Sequence, residues 1–252
     1  MTTTAPTSSD EMVVPANMLP VQVTGMQAMA SKMWMPLIGM GFMIVFAAFI
    51  FGLFNSSVTS DYFDASKADR DAAVRDSDLA TDRAFIESTK VWLPTLKFLG
   101  MGMILSGVTF LLATILGALR VGGAGVQQAL GETVRMPKPP VTAQMFPMLM
   151  MLGLVLLVVS LIIGVILATL SYDYWNNSIV KDLAPALENS GFLDDLKTIN
   201  STQAWLIPIK FLGIAFLLSG IGLALATIVR VLRWQSTRLW DMLSESPGND
   251  QG

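Results

Sequence analysis

Four long apolar stretches separated by polar segments dominate the hydrophobic pattern of this 252-residue chain. The stretches cover about residues 34–54, 92–119, 146–170 and 205–229. Lys97 and Lys210 are the only charged residues inside them. A bilayer core about 30 Å thick needs roughly 20 apolar residues in a helix, and the alternation typical of barrel strands is absent. The pattern therefore predicts an all-α integral membrane protein, a four-helix bundle with four transmembrane helices.

The second and fourth apolar stretches are copies of each other. When Ser88 is aligned with Ser201 and no gap is introduced, 17 of the 33 positions in Ser88–Arg120 are identical in Ser201–Arg233. The first and third stretches match more loosely, and Asp-Tyr-Phe at 61–63 corresponds to Asp-Tyr-Trp at 173–175. Each copy crosses the membrane twice, so both have the same orientation. This predicts two tandem parallel helix–loop–helix repeats with pseudo-twofold symmetry about the membrane normal.

The repeat and the polar segments divide the chain into five predicted regions. These are a polar N-terminal tail with an interfacial helix at 1–33, repeat unit 1 at 34–132, a linker at 133–144, repeat unit 2 at 145–245 and a C-terminal tail at 246–252. Each repeat unit then contains two membrane helices joined by an acidic loop on the outer side.

Local patterns predict further helical structure at the edges of the four stretches. Apolar spacing indicates short amphipathic helices within 65–87 and within 179–199. The spacing of apolar residues also predicts that the second membrane helix extends as far as Val134. Ser88 and Ser201, just before the copied stretches, suit helix N-caps because their hydroxyls accept hydrogen bonds from free backbone amides.

Aromatic and basic residues lie where membrane helices are usually anchored. Trp34, Trp92 and Trp205 open three of the stretches, and Arg120 and Arg233 close two of them. Amphipathic rings favour the membrane–water interface, and basic residues next to helix ends favour the cytoplasmic side. Together they predict interface anchors and cytoplasmic N- and C-termini, although Lys and Arg total seven on each side of the membrane. We expect a bacterial inner (cytoplasmic) membrane as the location.

Composition narrows the chemistry that the chain can perform. It contains neither cysteine nor histidine, which removes thiolate and imidazole ligands and the usual neutral-pH acid or base. The net charge of −3 argues against nucleic acid as a partner. No catalytic constellation is visible in the sequence. We therefore expect no enzyme activity, no cofactor and no metal; the expected partners are membrane lipids and other membrane protein subunits or a second copy of the chain.

Lys97 and Lys210 are the candidate functional charges, because ionisable residues inside a membrane are costly. Three interpretations remain open. Each lysine extends its ammonium group to the outer headgroups, forms a structural contact with a lipid or with the aspartate of its own unit, or binds a carried anion. The corresponding aspartates are Asp61 for Lys97 and Asp173 for Lys210.

Small residues mark the copied helices as packing surfaces, because they let helix backbones approach closely in lipid. They are Gly102, Ser106 and Gly107 in the second stretch, and Ala215, Ser219, Gly220, Gly222 and Ala226 in the fourth. The spacing predicts a central contact between the two copied helices, with a contact to another subunit as the alternative.

These features predict a structural or accessory subunit of a larger membrane protein assembly, acting through helix–helix and loop contacts. The alternative function is a transporter or channel with an anion or lipid headgroup site at Lys97 and Lys210. A transporter should bring polar residues together at the membrane midplane, and the sequence places few there.

Overall fold

The computed structural model describes residues 11–14, 25–131, 133–138, 140–177 and 191–245. Its helices are α1 (Gly25–Asp64), α2 (Lys67–Asp71), α3 (Asp78–Ala129), α4 (Val141–Asn176) and α5 (Gly191–Glu245), and its strands are β1 (Glu11–Val13) and β2 (Arg135–Pro137). The amphipathic helix predicted from Ile179 to Leu187, much of the N-terminal tail and the C-terminal tail at 246–252 lie outside the described residues.

Four helices are long and apolar enough to cross a membrane. The qualifying segments are Ala28–Asp64, Asp78–Ala129, Ala143–Asn176 and Leu193–Asp241. They confirm the four predicted transmembrane helices and are consistent with an integral membrane protein. The all-α prediction is also confirmed, since the structure is nearly all helical; two strands of three residues each accompany the helices.

The copied helices begin well before their apolar stretches. α3 already starts at Asp78, ahead of Trp92, and α5 already starts at Gly191, ahead of Trp205. At a rise of about 1.5 Å per residue, each helix extends about 21 Å beyond its tryptophan. The predicted N-caps at Ser88 and Ser201 are therefore wrong, since both residues lie inside helices. The polar sequence before each tryptophan still has a good helical composition, so the helix does not end where the hydrophobicity does.

The loop between α1 and α3 is shorter and more ordered than its polar composition indicates. Ser66 caps α2, and its hydroxyl accepts a hydrogen bond from the amide of Asp69 at 3.1 Å. Ser77 precedes α3, and its hydroxyl accepts from the amide of Ala80 at 3.3 Å. Free amides of a first turn are stabilised by such oxygens. Instead of one amphipathic helix, the predicted region holds α2 and the beginning of α3.

The C-terminal end of α3 corrects the helix extension predicted to Val134. The helix ends at Ala129, and Gly131 adopts a φ of 75°, in the left-handed region that glycine tolerates best. The chain then turns back, and Val134 is buried at 2% exposure beside Val14 and Ala124. An apolar residue at helical spacing is thus buried by a turn rather than by a helix.

The described residues belong to two compact units, and each draws on all four long helices. The loop unit comprises Leu37–Leu105 and Met151–Leu217, and the terminal unit comprises the described parts of Met1–Pro36, Ser106–Met150 and Leu218–Gly252. Neither unit coincides with one predicted repeat, because antiparallel helices contact each other along their lengths.

In the loop unit, the main apolar core joins α3, α4 and α5. Its buried residues are Val91, Leu167, Ala168, Tyr174 and Ile199. Arg83 adds a polar contact to this region: it donates a hydrogen bond to the Tyr62 hydroxyl at 3.2 Å and lies 4.5 Å from the ring of Trp175. The C-terminal ends of α1 and α4 and the N-terminal parts of α3 and α5 are therefore joined by side-chain packing as well as by loops.

In the terminal unit, the two strands tie the N-terminal segment to the ends of α3 and α5. β1 pairs antiparallel with β2, with Met12 opposite Met136. The buried side chain of Gln127 makes two hydrogen bonds to the backbone of Arg135, at 2.8 and 3.0 Å. Trp234 donates to the carboxylate of Glu11 at 3.2 Å. These hydrogen bonds add side-chain contacts to a strand pair that is only three residues long.

Candidate functional site

α1 and α3 approach each other closely at a pair of glycines. A methyl group built at Gly41 would lie 2.7 Å from the carbonyl oxygen of Gly100 and 2.9 Å from the amide nitrogen of Ile104. Real Cβ atoms do not approach backbone atoms this closely. Gly41 therefore sets the distance between the two helices.

α4 and α5 meet through a second glycine pair. A methyl group built at Gly153 would lie 2.6 Å from the carbonyl oxygen of Gly213 and 3.2 Å from the amide nitrogen of Leu217. In the reverse direction, a methyl group at Gly213 would lie 3.1 Å from the carbonyl oxygen of Gly153. Sequence inspection had singled out the copied helices, but it had not identified Gly41 and Gly153 as their partners in α1 and α4.

α3 is buried on two opposite sides, since a shift of two residues turns a helix by about 200°. One side carries Gly100 and faces α1. The other, the second face of α3, comprises Thr95, Leu99, Gly102, Ser106, Thr109 and Ala113. Thr95, Ser106 and Thr109 are at most 1% exposed. Two of these positions contact α4: a methyl group at Gly164 would lie 2.8 Å from the Thr95 hydroxyl, and one at Gly102 would overlap Leu157.

The aligned positions of α5 have the opposite environment. The second face of α5 comprises Pro208, Leu212, Ala215, Ser219, Gly222 and Ala226, and all six are exposed. A methyl group built at Gly222 would meet nothing within 4 Å. α5 is buried on its other side, where Gly213 and Leu217 contact α4. Among the described residues, nothing covers the second face of α5. The aligned positions of α3 are covered by packing within the chain.

The predicted central contact between the copied helices is present only in part. Gly102 faces α5, since a methyl group there would lie 3.4 Å from Leu217. Gly220 is buried against α4, where a methyl group would lie 3.2 Å from the carbonyl oxygen of Phe146, and Gly107 is buried in α3. Ala215, Ser219, Gly222 and Ala226 are exposed and do not take part in that contact. The two helices use different sides to contact one another, which identical sequence patterns cannot reveal.

The two lysines occupy different environments. Lys97 is exposed, and its Nζ lies beside α1, 3.9 Å from a methyl group built at Gly52. Asp61 lies two and a half turns beyond Gly52 on α1, about 13.5 Å along the helix axis. Among the described residues, no ion pair joins Asp61 to Lys97 or Asp173 to Lys210. An aspartate–lysine pair, one of the interpretations that the sequence leaves open, is thus not seen among the described residues, and a contact with a lipid or another anion stays a prediction.

Lys210 is only 5% exposed and lines a cavity of about 170 Å³ between α3 and α5. Its Nζ lies 5.9 Å from the centre of the Phe98 ring, near the limit for a cation–π contact. It makes no hydrogen bond or ion pair to any other described residue. Sequence comparison treats Lys97 and Lys210 as equivalents, so it could not have predicted that only one of them is buried.

The Asp-Tyr-aromatic motifs at the ends of α1 and α4 have similar geometry. Tyr62 and Tyr174 are buried at 3% and 6% exposure, whereas Asp61 and Asp173 are exposed. Each tyrosine ring contacts the next aromatic ring edge-on, with centroids 5.2 Å apart in both motifs. The motifs therefore contribute packing through their rings, while the carboxylates point to the surroundings of the protein.

The predicted interface anchors differ in exposure. Trp34 and Trp92 are half-buried, and Trp92 contacts the Phe51 ring edge-on at 5.5 Å. Trp205 is 43% exposed. Arg120 is half-buried, whereas Arg233 is exposed. Their role at a membrane interface stays a prediction, since it depends on the lipid around them. Within the described residues, no group of three or more acidic side chains is arranged to hold a metal ion.

Comparison of the chain with protein-family models, with curated proteins and with solved structures finds no significant match in any of the three. Any functional conclusion therefore depends on the geometry described above.

Proposed function

We propose that the chain is a structural or accessory subunit of a larger membrane protein assembly, and that it receives a transmembrane helix of another subunit on the second face of α5. One observation carries the proposal: six positions of this face are exposed, whereas their sequence copies in α3 are buried or half-buried by packing within the chain. The residues at the centre of both faces are small. In lipid, small residues favour helix association because they allow close van der Waals contact.

The buried face of α3 indicates what kind of partner fits the open face of α5. Leu157 of α4 lies against Gly102, and Gly164 of α4 lies against Thr95. α5 carries Ala215 where α3 has the notch at Gly102, so we expect an apolar partner helix that presents a small residue, rather than a leucine, to Ala215. We expect this helix to belong to a different subunit of the assembly. No catalytic step belongs to this role.

The proposal includes the tandem repeat of the fold. Two observations support it beyond the sequence identity. The glycine contact of Gly41 with Gly100 recurs at Gly153 and Gly213, and Gly213 is the residue that aligns with Gly100 in the copied helices. The two Asp-Tyr-aromatic motifs also have matching ring geometry.

Native mass spectrometry after gentle detergent extraction from the source membrane tests the subunit proposal. We expect the wild-type chain to leave the membrane with partner chains in fixed stoichiometry. Gly222→Leu should reduce the bound fraction by tenfold or more, which corresponds to about 1.4 kcal/mol. The added side chain projects from the open face, where its Cβ would meet nothing within 4 Å.

Gly39→Leu is the matched control, because Gly39 is also an exposed membrane glycine with nothing within 4 Å of a built methyl group. It should leave the assembly intact. The proposal is wrong if the wild-type chain leaves the membrane alone, or if Gly222→Leu retains its partners as fully as Gly39→Leu.

The location in a bacterial inner membrane with cytoplasmic N- and C-termini is part of the proposal. It is supported by Arg120 and Arg233 at the ends of their stretches and by the acidic 55–90 loop, which has eight acidic and five basic residues, a net charge of −3. The chain has no cysteine, so a single introduced thiol is labelled uniquely. In intact cells, a membrane-impermeant maleimide should label Val74→Cys and should label Ser236→Cys only after permeabilisation. The reverse pattern would invert the topology.

A further inference from the structure

The cavity at Lys210 holds a buried cation to which no residue described by the structure supplies a counter-charge. Lys210 is 5% exposed and has no hydrogen-bond or ion-pair partner among the described residues. An ammonium group removed from water is strongly destabilising unless an anion or several hydrogen-bond acceptors compensate. The weak contact with the Phe98 ring at 5.9 Å does not supply that compensation. The missing partner is therefore expected in the cavity that Lys210 lines.

Two further polar side chains line the same cavity, and both suit an oxyanion. They are Gln203, whose side-chain amide can donate hydrogen bonds, and Lys90, whose ammonium group is a second cation. Lys90 also forms an ion pair with Glu87 at 2.9 Å, so it lies at the exposed rim with part of its charge already balanced. Lys210 is then the cation of this cavity that no described residue balances, so a ligand with one negative charge fits. Phosphate oxygens accept hydrogen bonds from such groups readily.

The rest of the cavity is apolar. Its walls include Phe98, Leu206 and Ile207, and Ile207 is 52% exposed. The volume of about 170 Å³ corresponds to several water molecules of about 30 Å³ each, which is enough for a phosphate group. A free, fully hydrated anion would gain nothing from these walls, whereas the glycerol and upper acyl chain of a lipid would bury apolar surface against them.

The position along the helices also favours a lipid. Gln203 lies just before Trp205, and Lys90 lies just before Trp92, the tryptophans predicted at the membrane interface. Lys210 lies beyond Trp205, about 7.5 Å deeper along the helix, and a lysine side chain extends toward the interface. The polar lining is thus at headgroup depth.

We infer that this cavity binds the phosphate group of an anionic phospholipid, with Lys210 as the principal counter-charge and Gln203 and Lys90 as supporting donors. Lys97, at the corresponding position of the sequence copy, is exposed and does not line this cavity. The site is thus asymmetric, although the sequence around it is duplicated. This inference is independent of the partner helix at α5.

Lipid retention measured by native mass spectrometry tests the inference. The full chain is reconstituted in nanodiscs of mixed phosphatidylglycerol and phosphatidylcholine and then released in mild detergent. We expect wild type to retain phosphatidylglycerol selectively and Lys210→Met to reduce that retention about tenfold or more, as expected for the loss of a charge-assisted bond. Lys97→Met is the matched control and should retain as much as wild type. Lys210→Arg keeps the cation and should retain most of it.

Three results would overturn the inference. In the first, wild type shows no preference for phosphatidylglycerol, a result that needs no variant to be folded. In the second, Lys97→Met and Lys210→Met lose lipid equally, which points to general surface charge. In the third, wild type in pure phosphatidylcholine nanodiscs binds inorganic phosphate and Lys210→Met does not, which assigns the cavity to a free anion.

Discussion

Replacing Gly41 or Gly153 by alanine is expected to lower the free energy of unfolding by about 1–3 kcal/mol, the usual cost of overpacking a close contact. The added methyl groups would lie 2.7 and 2.6 Å from the carbonyl oxygens of Gly100 and Gly213. These are backbone atoms, so no side-chain rotation relieves the overlap and the helices must separate. Loss of the close contact then removes the packing that holds transmembrane helices together.

Unfolding in increasing dodecyl sulfate, followed by the fluorescence of the six tryptophans, measures this effect. Gly39→Ala is the matched control, because it lies close to Gly41 on the same helix and its methyl group would meet nothing within 4 Å. Similar losses for Gly41→Ala and Gly153→Ala would support the proposed repeat, since the two contacts would then be equivalent. Unchanged stability in both variants would show that the helices are not in glycine contact.

The second large effect is expected where Leu157 fills the notch left by Gly102. Leu157 is 1% exposed, and a methyl group at Gly102 would overlap its Cδ1 atom. Leu157→Ala should destabilise the fold by about 2–5 kcal/mol through the cavity that it leaves. Gly102→Ala should also be destabilising, because the leucine has to leave a filled site.

The two substitutions should compensate each other in the double variant. The methyl group added at Gly102 occupies part of the space vacated by Leu157, so we expect a favourable coupling of about 0.5–3 kcal/mol in the double-mutant cycle. The same dodecyl sulfate titration provides the four stabilities. Strict additivity of the two single effects would mean that these residues do not pack against each other.

The sequence predicts a structural feature correctly where the physical constraint behind that feature acts within one segment. Each apolar stretch must form a helix, because lipid offers no hydrogen-bond partners to the backbone, and four such helices are present. The positions of the helix ends were predicted less accurately. Ser88 and Ser201 resemble N-caps by composition, but α3 and α5 continue past them because the preceding polar residues are also compatible with a helix. Val134 continues a helical apolar spacing, yet the φ of 75° at Gly131 turns the chain.

At the candidate sites, too, the sequence pattern identifies residues but does not show which neighbours they pack against. Small residues in α3 and α5 were identified by spacing, but their environments were not, and the glycine partners in α1 and α4 were missed. Gly41 and its neighbour Gly39 look alike in sequence, and nothing local signals that only Gly41 lies against a backbone carbonyl oxygen. An ion pair of Asp61 with Lys97, one of three interpretations of the lysines, is not seen among the described residues, because Lys97 lies beside Gly52 and Asp61 lies about 13.5 Å further along α1.

The sequence alone determined that this protein has four apolar helices and that two of them are identical at 17 of 33 aligned positions, because hydrophobic length and residue identity are properties of each segment by itself. Only the tertiary structure decided which sides of those two helices are used. The second face of α3 is buried and that of α5 is open, and Lys97 is exposed while Lys210 is enclosed. Similar sequences acquire different environments because, among the described residues, α3 has neighbours on two opposite sides, whereas α5 is packed on one side.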